Sequence, residues 1–401
     1  MEIFKKHPAW PDVKQICETL INHGFTAWLA GGCVRDGLLG ILPHDFDIAS
    51  NAKPTDIEKI FKKTVAVGKA FGVMRIVCAS GDIEVARFRK DGQYSDGRHP
   101  DNVEPGTPEE DAQRRDFTIN ALFYDPQEKK IHDFVGGLED LKKRVIRTVG
   151  NPEDRFREDR LRILRAVRFV AQLDFELEEV TLSSVAKLSG YIKELTGERI
   201  TDELMKLFKS RRLDLGMALM KKTGLLIELF PDISNEIYNL DYFKKITSEE
   251  NQLELAWLLF FKSMPTQVHR QTFEKLKLSK KMREIIKSSL KTSSELEHFV
   301  KLSIAGKKKL AAKSETHISL KFLKLTGKLI DKSIEPFIEA NRKLPSPHIT
   351  SEDILELGIK PGKELGELIS EAYDRQLSDE FKSRKEALKW LERETKKVLK
   401  N

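Results

Sequence analysis

Two carboxylates, Asp45 and Asp47 in the run Asp45-Phe46-Asp47-Ile48-Ala49, have a spacing that points to chemistry. Successive side chains of a β-strand alternate between faces, so acids at i and i+2 project to the same side. Oxygen ligands packed that closely repel one another unless a hard cation lies between them. Mg²⁺ is the cation that uses one or two carboxylates and completes its shell with substrate phosphates. Just upstream stand Gly31 and Gly32, which let a bulky anion approach the backbone, and Arg35, whose fork matches phosphate oxygens. A lone Asp-x-Asp is most often a solvated loop, and a lone Gly-Gly a simple turn. Placed this close together after Ala27-Trp28-Leu29-Ala30, they predict a metal meeting a phosphate-bearing substrate.

The spacing predicts strand, glycine turn, short helix and a second strand that carries the two acids. A helix is expected before them over about 11–22, with Pro11 near its start and Gly24 just past its end, and another over 54–61. Residues 73–79 and 82–88 are β-rich runs joined through Ser80-Gly81, a hairpin signal. Glu84 lies inside the second run, where an acid is disfavoured unless it faces solvent or a site, so it is a candidate third acid beside the metal. Residues 90–113 are polar, with several Gly and Pro, and read as a long mobile loop of the kind that forms lids. After Arg114-Arg115-Asp116-Phe117-Thr118-Ile119-Asn120-Ala121-Leu122 come a return strand through His132-Asp133-Phe134, a helix from Gly136-Gly137 to about Arg144, and a short strand over 145–149. Beyond Gly150 the periodicity is almost entirely helical, which places a domain boundary near residue 150.

A second dense stretch is Arg157-Glu158-Asp159-Arg160-Leu161-Arg162-Ile163-Leu164-Arg165-Ala166-Val167-Arg168-Phe169. On one helix, Asp159, Arg162, Arg165 and Arg168 recur every third residue and form a polar stripe, with Leu161, Leu164 and Val167 as the apolar counterpart. Such runs are ordinarily solvated faces with local ion pairs. Here arginines outnumber nearby acids, and three forks on one stripe repel each other unless an anion or a base lies over them. Further on, 217–229 and 253–261 read as core helices, 269–313 as lysine-rich amphipathic helices that suit a phosphate backbone, and 341–350 as a linker.

At 401 residues the chain is long enough for several domains. Its 70 basic against 63 acidic residues, a net charge of +7, suit a polyanionic partner. Cys17, Cys33 and Cys78 are scattered, odd in number and without metal-ligand spacing, which fits a reducing compartment. No stretch approaches membrane-spanning length and the first residues lack a signal-like apolar run, so a cytoplasmic protein is expected.

Gly31-Gly32-Cys33-Val34-Arg35-Asp36 with Asp45-Phe46-Asp47-Ile48-Ala49, then residues 114–121, then 158–169 resemble the motifs of the class II CCA-adding tRNA nucleotidyltransferases and bacterial poly(A) polymerases. Residues 358–368 are similar to the tail of the tRNA-directed members. The resemblance implies an α+β fold: a nucleotidyltransferase (polymerase β-like) head over 1–150, then helical neck 151–210, body 211–315 and tail 316–401. It implies that Asp45 and Asp47 bind Mg²⁺, with Glu84 the third acid, and that Gly32, Arg35 and Arg115 contact the nucleotide. It also implies that Asp159 and Arg162 choose the base while Arg165 and Arg168 support them. The expected partners are the tRNA 3′ end, CTP and ATP. Complete CCA addition, CC- or A-addition alone, and poly(A) synthesis share these motifs, whereas an intact Asp45/Asp47 pair argues against a non-catalytic RNA-binding protein. A His-Asp phosphohydrolase pattern is absent from the C-terminal half.

Overall fold

The computed structural model describes residues 1–68, 72–98, 100–234, 239–328 and 331–399. Contacts divide the chain into two compact units, Met1–Thr247 with Glu274–Lys277, and Ser248–Phe273 with Leu278–Asn401. Among the described residues no helix is long and apolar enough to cross a membrane.

The first unit opens with helix α1 (Trp10–Asn22), which buries Val13, Ile16, Cys17 and Leu20. These recur at i, i+3, i+4 and i+7, the apolar stripe of a helix lying on a core. Strand β1 (Ala27–Ala30) follows, then helix α2 (Gly32–Leu38) and strand β2 (Asp47–Ser50). Helix α3 (Pro54–Ile60) leads to β3 (Thr64–Gly68), β4 (Val73–Cys78) and β5 (Gly81–Arg87). A small hairpin of β6 (Arg89–Asp91) and β7 (Val103–Pro105) precedes helix α4 (Pro108–Gln113). Strands β8 (Leu122–Asp125) and β9 (Lys130–Asp133) complete a seven-stranded sheet in the order β3-β4-β5-β2-β1-β8-β9. Its pairings are antiparallel except β2 with β5, which is parallel. Ala30, Ala49, Phe88, Ala112, Ala121, Phe123 and Val149 form a core against the sheet.

Residues 90–113, expected as an unbroken mobile loop, hold the β6–β7 hairpin and α4. The helix starts on a capping box: the Thr107 hydroxyl accepts from the Glu110 amide, the Glu110 carboxylate accepts from the Thr107 amide, and Pro108 sits in the first turn.

Helix α5 (Gly137–Lys143) is followed by α6 (Pro152–Glu158), α7 (Leu161–Leu173), α8 (Glu179–Lys187) and α9 (Gly197–Phe208). The polar stripe therefore does not lie on a single helix. Asp159 is the extended residue that ends α6, at φ −141° and ψ 105°, and only Arg162, Arg165 and Arg168 are on α7. Inward from them α7 buries Ile163, Leu164, Ala166, Val167 and Val170.

The second unit is helical. Trp257, Phe260 and Phe261 are fully buried in the helix Gln252–Lys262, as expected of a core segment. Two more clusters form around Leu296, Phe299 and Leu323 and around Ile354, Leu368 and Leu391. The lysine run is partly neutralised, with Lys308 paired to Asp379 at 3.0 Å and Lys309 paired to Asp374.

Candidate active site

Gly31, between β1 and α2, has φ +72°, a conformation that favours glycine. A Cβ there would lie 2.9 Å from Arg115 Nη1, so the turn also admits the Arg115 guanidinium against its backbone. Gly32 is helical, and a Cβ added there would make only an ordinary contact, with Arg35 Nη2 at 3.8 Å. The turn brings the start of α2 level with the start of β2.

Between Asp45 and Asp47, Phe46 is buried against Phe4, His7 and Trp10. Asp47, next in the chain and first in the strand, turns to the other face. Asp45 precedes β2 and its side chain is 81% exposed; Asp47 is the first residue of the strand. On the parallel neighbour β5, Glu84 stands in register with Asp47, so the two carboxylates share a face. Among the described residues neither Asp47 nor Glu84 has an ion-pair partner. The Asp47 carboxyl is pushed up to about 6, first by loss of water in the cleft and then by the Asp45 and Glu84 carboxylates, with Arg115 opposing. Asp47 and Glu84 on one face, with one carboxyl destabilised as an anion, offer the donor type that a hard divalent cation takes.

A cleft of about 660 Å³ opens over this face. It is lined by Gly32, Arg35, Asp47, Glu84, Arg115, Asp159, Arg162, Arg165 and Arg168, so it brings together every expected site residue except Asp45, which is not part of its wall. Nine arginines and four carboxylates line it, a balance that favours an anionic ligand. A second cleft of about 400 Å³ shares Glu84, Arg114, Asp159 and Arg162 and extends to Val67, Tyr94 and Arg98.

The expected repulsion between the α7 arginines does not arise, because each is supplied with an acid, one local and two distant in sequence. Arg162 pairs with Glu158 at 2.6 Å and donates to the carbonyls of Arg155 and Arg114. Arg165 pairs with Asp116 at 2.6 Å, and Arg168 with Glu203 at 2.8 Å. Burial depresses the Arg168 guanidinium to about 10 against the pull of Glu203. Asp159 is not paired with Arg162 but with Arg199 of α9.

The other arginines are anchored too. Arg35 is buried, donating to Asn120 Oδ1 at 2.6 Å and pairing with Asp36 at 2.7 Å. Arg115 is gripped by Asp111 at 2.9 Å and donates to the Asn120 carbonyl. Asp116, Asn120, Asp111 and Arg199 had no place among the expected site residues. The first two lie within the motif that yielded only Arg115, and their bonds form the link from α7 to α2. Burial works against the Asp116 anion, but Arg165, the Asn120 amide and Arg162 outweigh it and hold the carboxyl down to about 2. Elsewhere, Asp125, Glu128 and His132 place possible metal-ligand atoms within 4.8 Å of one another on the β8–β9 hairpin. Asp125 is already occupied by the Trp28 indole N–H and the amides of Gln127 and Glu128.

Acids on two central strands facing arginines across one cleft, on a mixed sheet followed by helices, are the architecture of a nucleotidyltransferase. Residues 27–147 match the poly A polymerase head domain, and 174–237 match the probable RNA and SrmB-binding site of polymerase A. Poly(A) polymerase I of Haemophilus influenzae is 39% identical over 55% of this chain and 51% of its own, so the chain spans about half the length of that relative. The CCA-adding enzyme of Pediococcus pentosaceus is 32% identical over 94% of this chain and 96% of its own. Among solved structures, the Bacillus stearothermophilus CCA-adding enzyme in complex with CTP is similar at a TM-score of 0.79 and 28% identity, over 98% of this chain and 99% of that one. The chain belongs to the family of CCA-adding tRNA nucleotidyltransferases and bacterial poly(A) polymerases.

Proposed function

We propose that the protein adds CMP and AMP to the 3′ end of tRNA, building or repairing CCA. The observation that carries this reading is the single cleft in which Asp47 and Glu84 face Asp159 and Arg162. In the proposed division, the head (1–150) carries the chemistry, the neck (151–210) selects the base, and the body (211–315) and tail (316–401) hold tRNA.

Mg²⁺ bound by Asp45 and Asp47 would acidify the RNA 3′-hydroxyl and neutralise charge on the departing pyrophosphate. Glu84 completes the acidic face beside them. Gly32 leaves the backbone open to the triphosphate, and the Arg35 and Arg115 guanidinium groups, held by Asn120 and Asp111, present positive charge to it without having to be ordered first. The second cleft offers the RNA end an approach to Glu84.

Base choice follows from hydrogen-bond direction. Cytosine offers an amino donor at N4 beside an acceptor at N3, and adenine offers the same order at N6 and N1. The Asp159 carboxylate accepts from the amino group while the Arg162 guanidinium donates to the ring nitrogen. Guanine and uracil present the reverse order and would leave buried groups unpaired, which sites reject strongly. Arg165 and Arg168 back this pair from the same helix face.

A second reading, poly(A) synthesis, is favoured by the match to the Haemophilus influenzae poly(A) polymerase I. Incubation with tRNA ending before, within and after CCA, with CTP and ATP separately and together, decides between them. Complete CCA addition that stops at A is expected. Extension confined to ATP on CC-ended tRNA, extension confined to CTP, or long homopolymers on any RNA would replace it with the corresponding partial or poly(A) activity.

A further inference from the structure

The Asp159 carboxylate is held by Arg199, from the first turn of α9. One guanidinium nitrogen, Nη2, donates to both carboxylate oxygens, at 2.9 Å to Oδ1 and 3.0 Å to Oδ2. Oδ1 also accepts from the Leu161 amide at 3.1 Å, at the start of α7. Oδ2 has Arg199 alone and keeps acceptor capacity for a ligand. Both side chains line the main cleft and are about one-fifth exposed. Among the described residues Arg199 makes no other hydrogen bond or ion pair, so Asp159 is its one engagement.

The two members of the base-reading pair are thus secured from different elements. Arg162 is oriented by Glu158 and by the carbonyls of Arg155 and Arg114. Asp159 lies at a helix break, where the Leu161 amide holds Oδ1 and only Arg199 of α9 holds Oδ2.

We propose that Arg199 is a positioning residue for nucleotide selection, fixing the plane of the Asp159 carboxylate so that Oδ2 faces the incoming base as an acceptor. The inference rests on Asp159 and Arg162 being the base-reading pair. An acceptor held in place takes the amino group of cytosine or adenine. Uracil and guanine bring a carbonyl oxygen to the same point, and two fixed acceptors repel. Released from Arg199, the carboxylate keeps only the Leu161 amide on Oδ1, so Oδ2 swings and admits water and the wrong oxygen is no longer opposed. Since the grip is end-on through one nitrogen, a lysine ammonium reaching that point serves the same purpose, although it would not at a two-nitrogen fork.

The test is the ratio of initial rates for CTP and UTP on tRNA lacking CCA, measured for the wild type, Arg199→Ala, Arg199→Lys and Asp159→Ala. The ratio is internal to each preparation, so a misfolded fraction cancels and lost stability alone does not move it. Arg199→Ala is expected to lower the ratio about tenfold, while Arg199→Lys stays within about threefold of the wild type. An Arg199→Ala protein with the wild-type ratio, where Asp159→Ala has relaxed it, overturns the role of Arg199 and leaves the base-reading pair standing. A wild-type ratio in Asp159→Ala overturns both.

Discussion

Asp47 is where charge and function pull in opposite directions. Its carboxyl is raised from the ordinary 3.8 to about 6, so the folded protein keeps a proton there over a range in which the unfolded chain has released it. Stability therefore falls as pH rises from about 4 to about 6, and the whole penalty remains above that range. Asp47→Asn removes the charge while keeping the shape. In chelator at pH 7.5 this variant is expected to melt about 1–2 °C above the wild type, a small gain because Asp47 stands at the exposed start of the strand, where water that still reaches it screens much of the repulsion. The gap should close below pH 4. Identical melting curves across that range would show that the three acids do not strain one another. The acidic face was legible in the sequence because strand alternation is a local rule that requires only i and i+2. The partners of the arginines were not, since Asp116 and Glu203 reach Arg165 and Arg168 from 49 and 35 residues away.

Between elements, the connection that matters most runs from α7 to α2. Arg165 pairs with Asp116, Asp116 accepts from the Asn120 amide, and Asn120 accepts from Arg35. This chain of bonds sets α7 against the glycine turn. Asp116→Ala would leave Arg165 without its counter-charge and is expected to cost about 3 kcal/mol, lowering Tm by several degrees. Adding Arg165→Met should return part of that loss, because the unpaired charge is then removed as well. A single variant as stable as the wild type would mean the bridge holds nothing. The glycine turn, the hairpin through residues 80–81 and the helices flanking them were readable from periodicity. The β6–β7 hairpin was not, because three-residue strands are too short to show alternation. Helix α4 did announce itself through Thr107, Pro108 and Glu110, a signal outweighed by the polarity around it. The break at Asp159 was hidden because spacing of three continues across it, and only backbone geometry shows where the helix stops.

At the scale of the whole molecule, the acids of β2 and β5 and the arginines of α7 share one compact unit, while a net positive charge and a second, helical unit suit a long polyanion. Apolar periodicity predicted the change from mixed structure to helix near residue 150, and the strands of the large sheet do end before it. Which residues face one another across the cleft depends on long-range packing that no local pattern encodes. The account therefore stands or falls on where a nucleotide lies in that cleft. A crystal structure with CTP, and another with ATP, each with Mg²⁺, tests it most directly. It should show the triphosphate at Gly32 and Arg35, the cation on Asp45 and Asp47, and the amino group of either base on Asp159 with its ring nitrogen on Arg162. A bare carboxylate pair, or a base bound away from Asp159 and Arg162, would contradict it.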